Sequence, residues 1–189
     1  MFTEGGYAAT SLDSIVAGAR VTKGALYHHF GGKQALFEAV FEGIEDRAAR
    51  AIRRAMKAER DPWDKATAGL RGFLGVVQTP EYRRIVMQEG PSVLGYARFR
   101  EQEERSTFSI VGEIVRSVLE DRRWDFDEAM VETFTQIFFG AMSAVGQSVS
   151  ESGDPAAASA RVEAAIGFIL IGLRTVVEAG DTTPVSPAD

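Results

Sequence analysis

Within seven positions near the start of the chain stand Thr22, Lys23, Gly24, Ala25, Tyr27 and His28, with Ser11 ahead of them and Lys33 behind. Hydroxyl, imidazole and ammonium donors of this kind suit phosphate oxygens. Gly24 and Ala25 are small enough for a backbone to approach base edges, and the Ala25 methyl is a partner for a thymine methyl. Other chemistries find little support. No nucleophile with a base and no paired carboxylates are identifiable. Asp64 and Glu89 stand singly, and Gly69 and Gly72 sit inside a helical period with no strand before them, unlike a phosphate loop. The chain has no cysteine and only two histidines, His28 and His29. Neighbours on a helix point about 100° apart, so one ion is not easily held by both. The expectation is a protein that is not an enzyme, with no metal and no cofactor.

The elements that must position these residues are helical. Apolar residues recur at three and four along almost the whole chain, and alternating strand patterns of useful length are absent, so the fold class is all-α. Thr10-Ser11-Leu12-Asp13 resembles a capping box and opens a short helix over 11–19 that buries Leu12, Ile15, Val16 and Ala19. Thr22 caps a second short helix over 23–30, with Val21 and Leu26 placed as a hydrophobic staple. Gly31-Gly32 ends it, and a long helix follows over 33–57. Two short capped helices joined by about three residues form a helix-turn-helix, whose second helix enters the major groove of DNA. Leu26 and Phe30 turn inward, leaving Lys23, Gly24, Ala25, Tyr27 and His28 outward.

Charge fits this division. The chain carries a net charge of −6, yet residues 1–57 hold eight cations against six anions, so the acidic excess lies in the remainder. A mildly basic end on an acidic body confines a polyanion to one face. The cluster Arg47, Arg50, Arg53, Arg54 and Lys57 reads as a solvated helix face. No secretory signal follows Met1, and the longest uncharged apolar stretch, 164–173, falls short of the roughly 20 residues of a membrane span. A cytoplasmic protein without membrane contact is expected, and 164–173 reads as part of a buried helix.

The stretch Phe2, Gly6-Tyr7, Thr10-Ser11, Ile15, Ala19, Val21-Thr22-Lys23-Gly24-Ala25-Leu26-Tyr27-His28-His29-Phe30 and Lys33-Gln34-Ala35-Leu36 closely resembles the DNA-binding domain of the TetR (tetracycline repressor) family. The resemblance implies an N-terminal helix-turn-helix domain, a helical C-terminal domain for ligand binding and dimerisation, and repression relieved by a small molecule. It places Lys23, Gly24, Ala25 and Tyr27 near bases, and Ser11, His28 and Lys33 at phosphates. Two departures stand out. Arg20 replaces the family's usual turn glycine, so the turn must accept a side chain. Only Met1 to Glu4 remain for the first helix, which in the family packs on the long fourth one. The domain reading is therefore 1–45 for DNA binding with the first helix truncated, 46–180 for the ligand-binding and dimerisation body, and 181–189 as a disordered tail.

Body helices are expected over 62–79, 81–89, 92–96, 100–121, 126–150 and 155–178, three of them opening on Asp-Pro or Thr-Pro. Helix 126–150 bears an apolar stripe at Phe126, Met130, Phe134, Ile137, Phe138, Ala141, Met142, Val145 and Val149, expected to face a core. Beside it runs a row of Gly140, Ser143, Ala144 and Gln147. The last helix has its own row, Ala160, Ala164, Gly167 and Ile171. Such rows allow a two-fold four-helix interface, hence a homodimer. Phe73, Val77, Met87, Leu94, Phe108, Val111, Val115, Phe134, Phe138 and Met142 are the expected pocket lining. Glu89, Tyr96, Arg98, Gln136 and Gln147 are the polar candidates for orienting a ligand. The sequence thus reads as a repressor that binds a palindromic double-stranded DNA operator and releases it for a small, mainly apolar effector. The alternative is a helical small-molecule-binding protein that has lost DNA binding.

Overall fold

A computed structural model describes residues 1–119 and 126–179, and every regular element among them is helical. The chain opens with α1 (Phe2–Ala9), α2 (Leu12–Ala19) and α3 (Lys23–His29), followed by the 24-residue α4 (Lys33–Met56). The first helix reaches past Glu4, with a kink at Gly6, where φ is 75°. Phe2 and Tyr7 stack at 6.0 Å and meet Phe37 of α4 edge-on at 5.4 and 5.3 Å. Three rings thus supply the packing of α1 on α4. The caps fall as follows: Ser11, not Thr10, accepts the Ser14 N–H at 3.0 Å, and Thr22 accepts the Ala25 N–H at 3.1 Å. Thr10 is buried and donates to the Gly6 carbonyl at 2.7 Å, tying α2 to α1. Of the expected staple pair, Leu26 is buried and Val21 is exposed.

The body begins with α5 (Pro62–Val77), whose N-cap Asp61 accepts from Trp63 and Asp64 N–H. A π-helical segment, Tyr82–Glu89, leads into α6 (Gly90–Leu94) and α7 (Tyr96–Glu103). A second π segment, Glu104–Phe108, joins α7 to α8 (Ser109–Leu119). The helix expected over 100–121 is therefore broken in register by a widened turn, a feature that concentrates at functional sites. The last two helices are α9 (Glu128–Glu151), capped by Asp127, and α10 (Pro155–Ala179), where Asp154 accepts the Ala157 N–H at 3.0 Å. The expectation for 181–189 lies outside the described residues.

The core joins α4, α5, the first π segment and α9 around Phe37, Phe41, Val77, Ile85, Val86 and Val149, all fully buried. Gly90 is forced here, since a Cβ would sit 2.7 Å from the Phe41 ring. The helix containing 164–173 is not buried as expected. Its span Pro155–Val176 is long and apolar enough by composition to cross a bilayer, and only 11% of the most apolar window in it is buried within the chain.

Candidate functional site

Around the buried Leu26, α3 presents an open surface: Thr22, Lys23, Gly24, Ala25, Tyr27 and His28 are all exposed, as is Ser11 at the start of α2. A Cβ at Gly24 would meet only the Thr22 hydroxyl, at 3.9 Å, so nothing in the chain fills the space above it. The Lys23 ammonium rests on Asp13 at 2.6 Å, and that hydrogen bond raises its pKa. Both partners are exposed, so the pair costs little to exchange for a phosphate. Arg20 takes the left-handed conformation, with φ 56° and ψ 39°, and its backbone N–H closes the end of α2 on the Ala17 carbonyl. An arginine held where glycine is preferred leaves an exposed guanidinium next to α3.

Lys33, expected at a phosphate, is engaged within the protein. Its ammonium donates to the Tyr7 carbonyl at 2.7 Å and the Thr10 carbonyl at 2.9 Å, and lies 4.3 Å from the Tyr7 ring centre. These carbonyls end α1, where a cation is favoured by the helix dipole. The same turn is held from the body: the Tyr7 N–H donates to Glu89 Oε2 at 2.8 Å, and Arg84 pairs with Glu89 Oε1 at 3.1 Å. A Cβ at Gly6 would run into both side chains, so the positive φ and the close approach both require glycine there. Glu89, expected to orient a ligand, instead fastens the end of α1 to the first π segment.

The body holds a partly open apolar cavity of about 170 Å³ among α4, α5, α7, both π segments, α8, α9 and α10. Seven of the expected lining residues border it: Phe73, Met87, Val111, Val115, Phe134, Phe138 and Met142. Val77 and Leu94 belong to the packed core instead. Phe108 stands edge-on to Phe139 at 5.2 Å and does not reach the cavity. Among residues not expected, Trp63, Phe126, Phe139, Ile166 and Leu170 add apolar wall. Tyr96, Arg98, Gln136 and Gln147 are not in the wall; Tyr96 is exposed, and Arg98 pairs with Glu38 and Glu101.

The cavity's polar side chains are Tyr82, Glu103, Thr107 and Ser143. Burial pushes the Glu103 carboxyl up to about 7, against the pull of Arg100. Behind Tyr82 lies the buried Glu45 of α4, bonded by the Ser106 hydroxyl, and burial raises its carboxyl too. The Tyr82 hydroxyl is pushed well up by burial and by Glu45. This node links α4 to both π segments.

On the opposite side of α9 and α10 an apolar face is open. Phe168 is 81% exposed, Ile171 68% and Ile137 59%. Gly140, Ala144, Ala160 and Ala164 of the expected small rows are exposed, and nothing in the chain comes within 4 Å of a Cβ at Gly140 or Gly167; on α10, Ala160, Ala164, Gly167, Phe168 and Ile171 border a groove against Trp63, Thr67 and Arg71 of α5. Ser143 turns to the cavity, and Gln147 is half-buried and bonds Glu151. The stripe expected to face one core is thus divided: Phe134, Phe138 and Met142 line the cavity, while Met130, Ile137 and Ala141 face outward.

Comparison with known proteins matches residues 1–40 to the family described as bacterial regulatory proteins, tetR family. Residues 63–173 match the tetracyclin repressor-like C-terminal domain. The TetC protein of transposon Tn10 from Escherichia coli is 50% identical over 42 residues, 22% of this chain and 21% of that protein. The HTH-type transcriptional activator FasR of Mycolicibacterium smegmatis is 30% identical over 78 residues, 41% of this chain and 36% of that protein. The matched stretches thus span between a fifth and a little over a third of these relatives. Among solved structures, a TetR-family regulator from Pectobacterium atrosepticum superposes with a TM-score of 0.77 at 28% identity, covering 91% of this chain and 87% of that one. The ketosteroid transcriptional regulator KstR2 of Mycobacterium tuberculosis shares the fold, with a TM-score of 0.58 at 19% identity over 91% of this chain and 88% of that one. A tetR-family protein from Rhodococcus RHA1 does so with a TM-score of 0.61 at 22% identity over 86% of each chain.

Proposed function

This chain belongs to the TetR family of DNA-binding transcriptional regulators, and from that premise we propose that it is a dimeric repressor released from a palindromic operator by a small, mainly apolar effector. The observation that carries the reading is the exposed set on α3, with Thr22, Lys23, Gly24, Ala25, Tyr27 and His28 arrayed around the buried Leu26. Lys23, Gly24, Ala25 and Tyr27 meet base edges, while Ser11, Thr22, His28 and Arg20 hold phosphates. Lys33 acts by fixing α1 under this surface.

The second copy covers the open face of α9 and α10. Burying side chains as large as Phe168, Ile171 and Ile137 is worth about 1.5–3 kcal/mol each, and the small residues between them let two helices approach. A two-fold axis is the arrangement in which one patch covers itself. It must set the recognition helices about 34–36 Å apart to enter successive major grooves.

The switch follows from connectivity. Tyr82 and Met87 form cavity wall on the same π segment that ends in Glu89, and Glu89 holds the Tyr7 N–H. A ligand that spreads the cavity displaces this segment, moves α1 and α4 with it, and spoils the spacing of the two recognition helices. Release requires differential affinity for the incompetent arrangement, about 5.5 kcal/mol for a 1:99 to 99:1 shift. Fluorescence anisotropy with a labelled duplex from upstream of the protein's own gene tests the reading. Saturable binding that a scrambled duplex fails to compete supports it; equal competition by the scrambled duplex contradicts it.

A further inference from the structure

The wall of the cavity is hydrocarbon except for Tyr82, Glu103, Thr107 and Ser143, and its one charged side chain is Glu103. Glu103 borders the cavity beside Tyr82 and Thr107, its side chain only 14% exposed. Its Oε2 faces Arg100 Nη1 at 3.3 Å, while no described protein group donates to Oε1. No lysine or arginine lines the cavity. Arg100 lies outside the wall, over the Phe139 ring at 5.3 Å, and is shared with Glu104 at 3.8 Å. Behind Tyr82 the buried Glu45 adds a second carboxyl, whose Oε1 has no hydrogen-bond partner.

A carboxylate taken from water is costly unless it is paired. Burial pushes the Glu103 carboxyl up to about 7, so near neutral pH the empty protein carries it protonated in part. A ligand ammonium takes the place of that proton and gives Oε1 the cationic partner that Arg100, on Oε2, does not. A ligand carboxylate meets Glu103 and Glu45 with only hydroxyl donors to offset them, and a neutral ligand leaves Oε1 of Glu103 without a cation beside it. Size narrows the choice further: an apolar cavity of about 150 Å³ holds benzene, and this one is about 170 Å³ with adaptable Met87 and Met142 in its wall.

Resting on the reading of this cavity as the effector site, we propose that its occupant is a small lipophilic amine bound as the cation, its ammonium against Glu103 and its ring among Phe73, Phe134 and Phe138. Three probes of one size separate the head groups: 2-phenylethylamine, 2-phenylethanol and phenylacetate, titrated into the full chain by calorimetry in physiological salt. The amine is expected to bind at least tenfold tighter than either of the others. In Glu103→Gln its advantage over the alcohol falls below threefold while alcohol binding is retained, and Phe138→Trp, which narrows the cavity, weakens binding of all three.

Equal affinities for amine and alcohol in the wild type, or tightest binding of phenylacetate, overturn the inference and leave the cavity as an effector site. So does an amine preference that persists in Glu103→Gln or amine binding that is unchanged in Phe138→Trp. Binding of none of the three overturns the cavity as an effector site and the inference with it. The wild-type ranking decides by itself should Glu103→Gln fail to fold.

Discussion

Replacing Lys33 by methionine keeps the aliphatic stem and removes the ammonium that ends α1. Two hydrogen bonds from a charged donor, at 2.7 and 2.9 Å, are lost, each of a kind worth about 1.5–3 kcal/mol. The cation over the Tyr7 ring at 4.3 Å is lost as well, worth about 0.5–1 kcal/mol at a partly open site. These contributions overlap, and water re-solvates the freed carbonyls in part, so a local loss of about 2–3 kcal/mol is expected. Operator affinity should fall because less of the protein holds α1 in place. The salt dependence of binding should keep its slope, since no counterion-releasing contact has gone. If Lys33 held a phosphate in each subunit, the variant would lose about 0.9 from the slope per contact, near 2 for a dimer. Anisotropy titrations between 50 and 200 mM salt measure the slope, and hydrogen exchange at the α1 amides measures the loosening. A slope reduced by about 2 with unchanged α1 protection would refute the positioning role.

Arg20→Gly relieves a left-handed residue and should stabilise the protein by about 1 kcal/mol, while weakening operator binding and flattening its salt slope; thermal melts paired with salt titrations check both signs. Phe168→Glu puts a charge into the proposed dimer face and should yield a folded monomer in light scattering at micromolar concentration, whereas a persistent dimer would place the interface elsewhere. Glu103 has a folded pKa of about 7 against an ordinary 4.5, so its destabilising contribution is absent below about 4.5, grows as pH rises from 4.5 to 7 and is fully present above that. Glu103→Gln should therefore gain on wild type by about 1–3 kcal/mol between pH 5 and pH 8; an unchanged gap between the two melts at both pH values would contradict the assignment.

The helix-turn-helix was legible because its signals are local: caps at Ser11 and Thr22, an inward Leu26 and outward small and polar residues all lie within one or two turns. Its departure at Arg20 was legible too, and the left-handed φ follows from the turn rather than the residue. The cavity was only partly readable. Helical period tells which face of a helix is apolar, not whether that face meets neighbours or empty space, so Val77 and Phe73 look alike although one is core and the other wall. Phe108 was misplaced for a definite reason: the π segment Glu104–Phe108 inserts a residue into the helical register and turns it onto Phe139. Glu103 had a signal that was not used. It stands at the head of the stripe Thr107, Ile110, Val111, Ile114 and Val115, and a charge in line with an apolar face marks a polar spot in a buried wall. The engagement of Lys33 and Glu89 with Tyr7 joins residues 26 and 82 positions apart, which no local pattern encodes.

The central claim is that two copies of this chain present α3 to successive major grooves of one specific DNA. Selection of binding sites from a random double-stranded library by the wild-type protein, followed by titration of the enriched duplex, tests it most directly. The account predicts enrichment of a two-fold symmetric sequence whose half-sites lie about one helical turn apart or a whole multiple of it, bound by an even number of protomers, with base preferences that change in Lys23→Ala and Ala25→Ser. A library that emerges unenriched, or an enriched sequence without two-fold symmetry bound by one protomer, would contradict it.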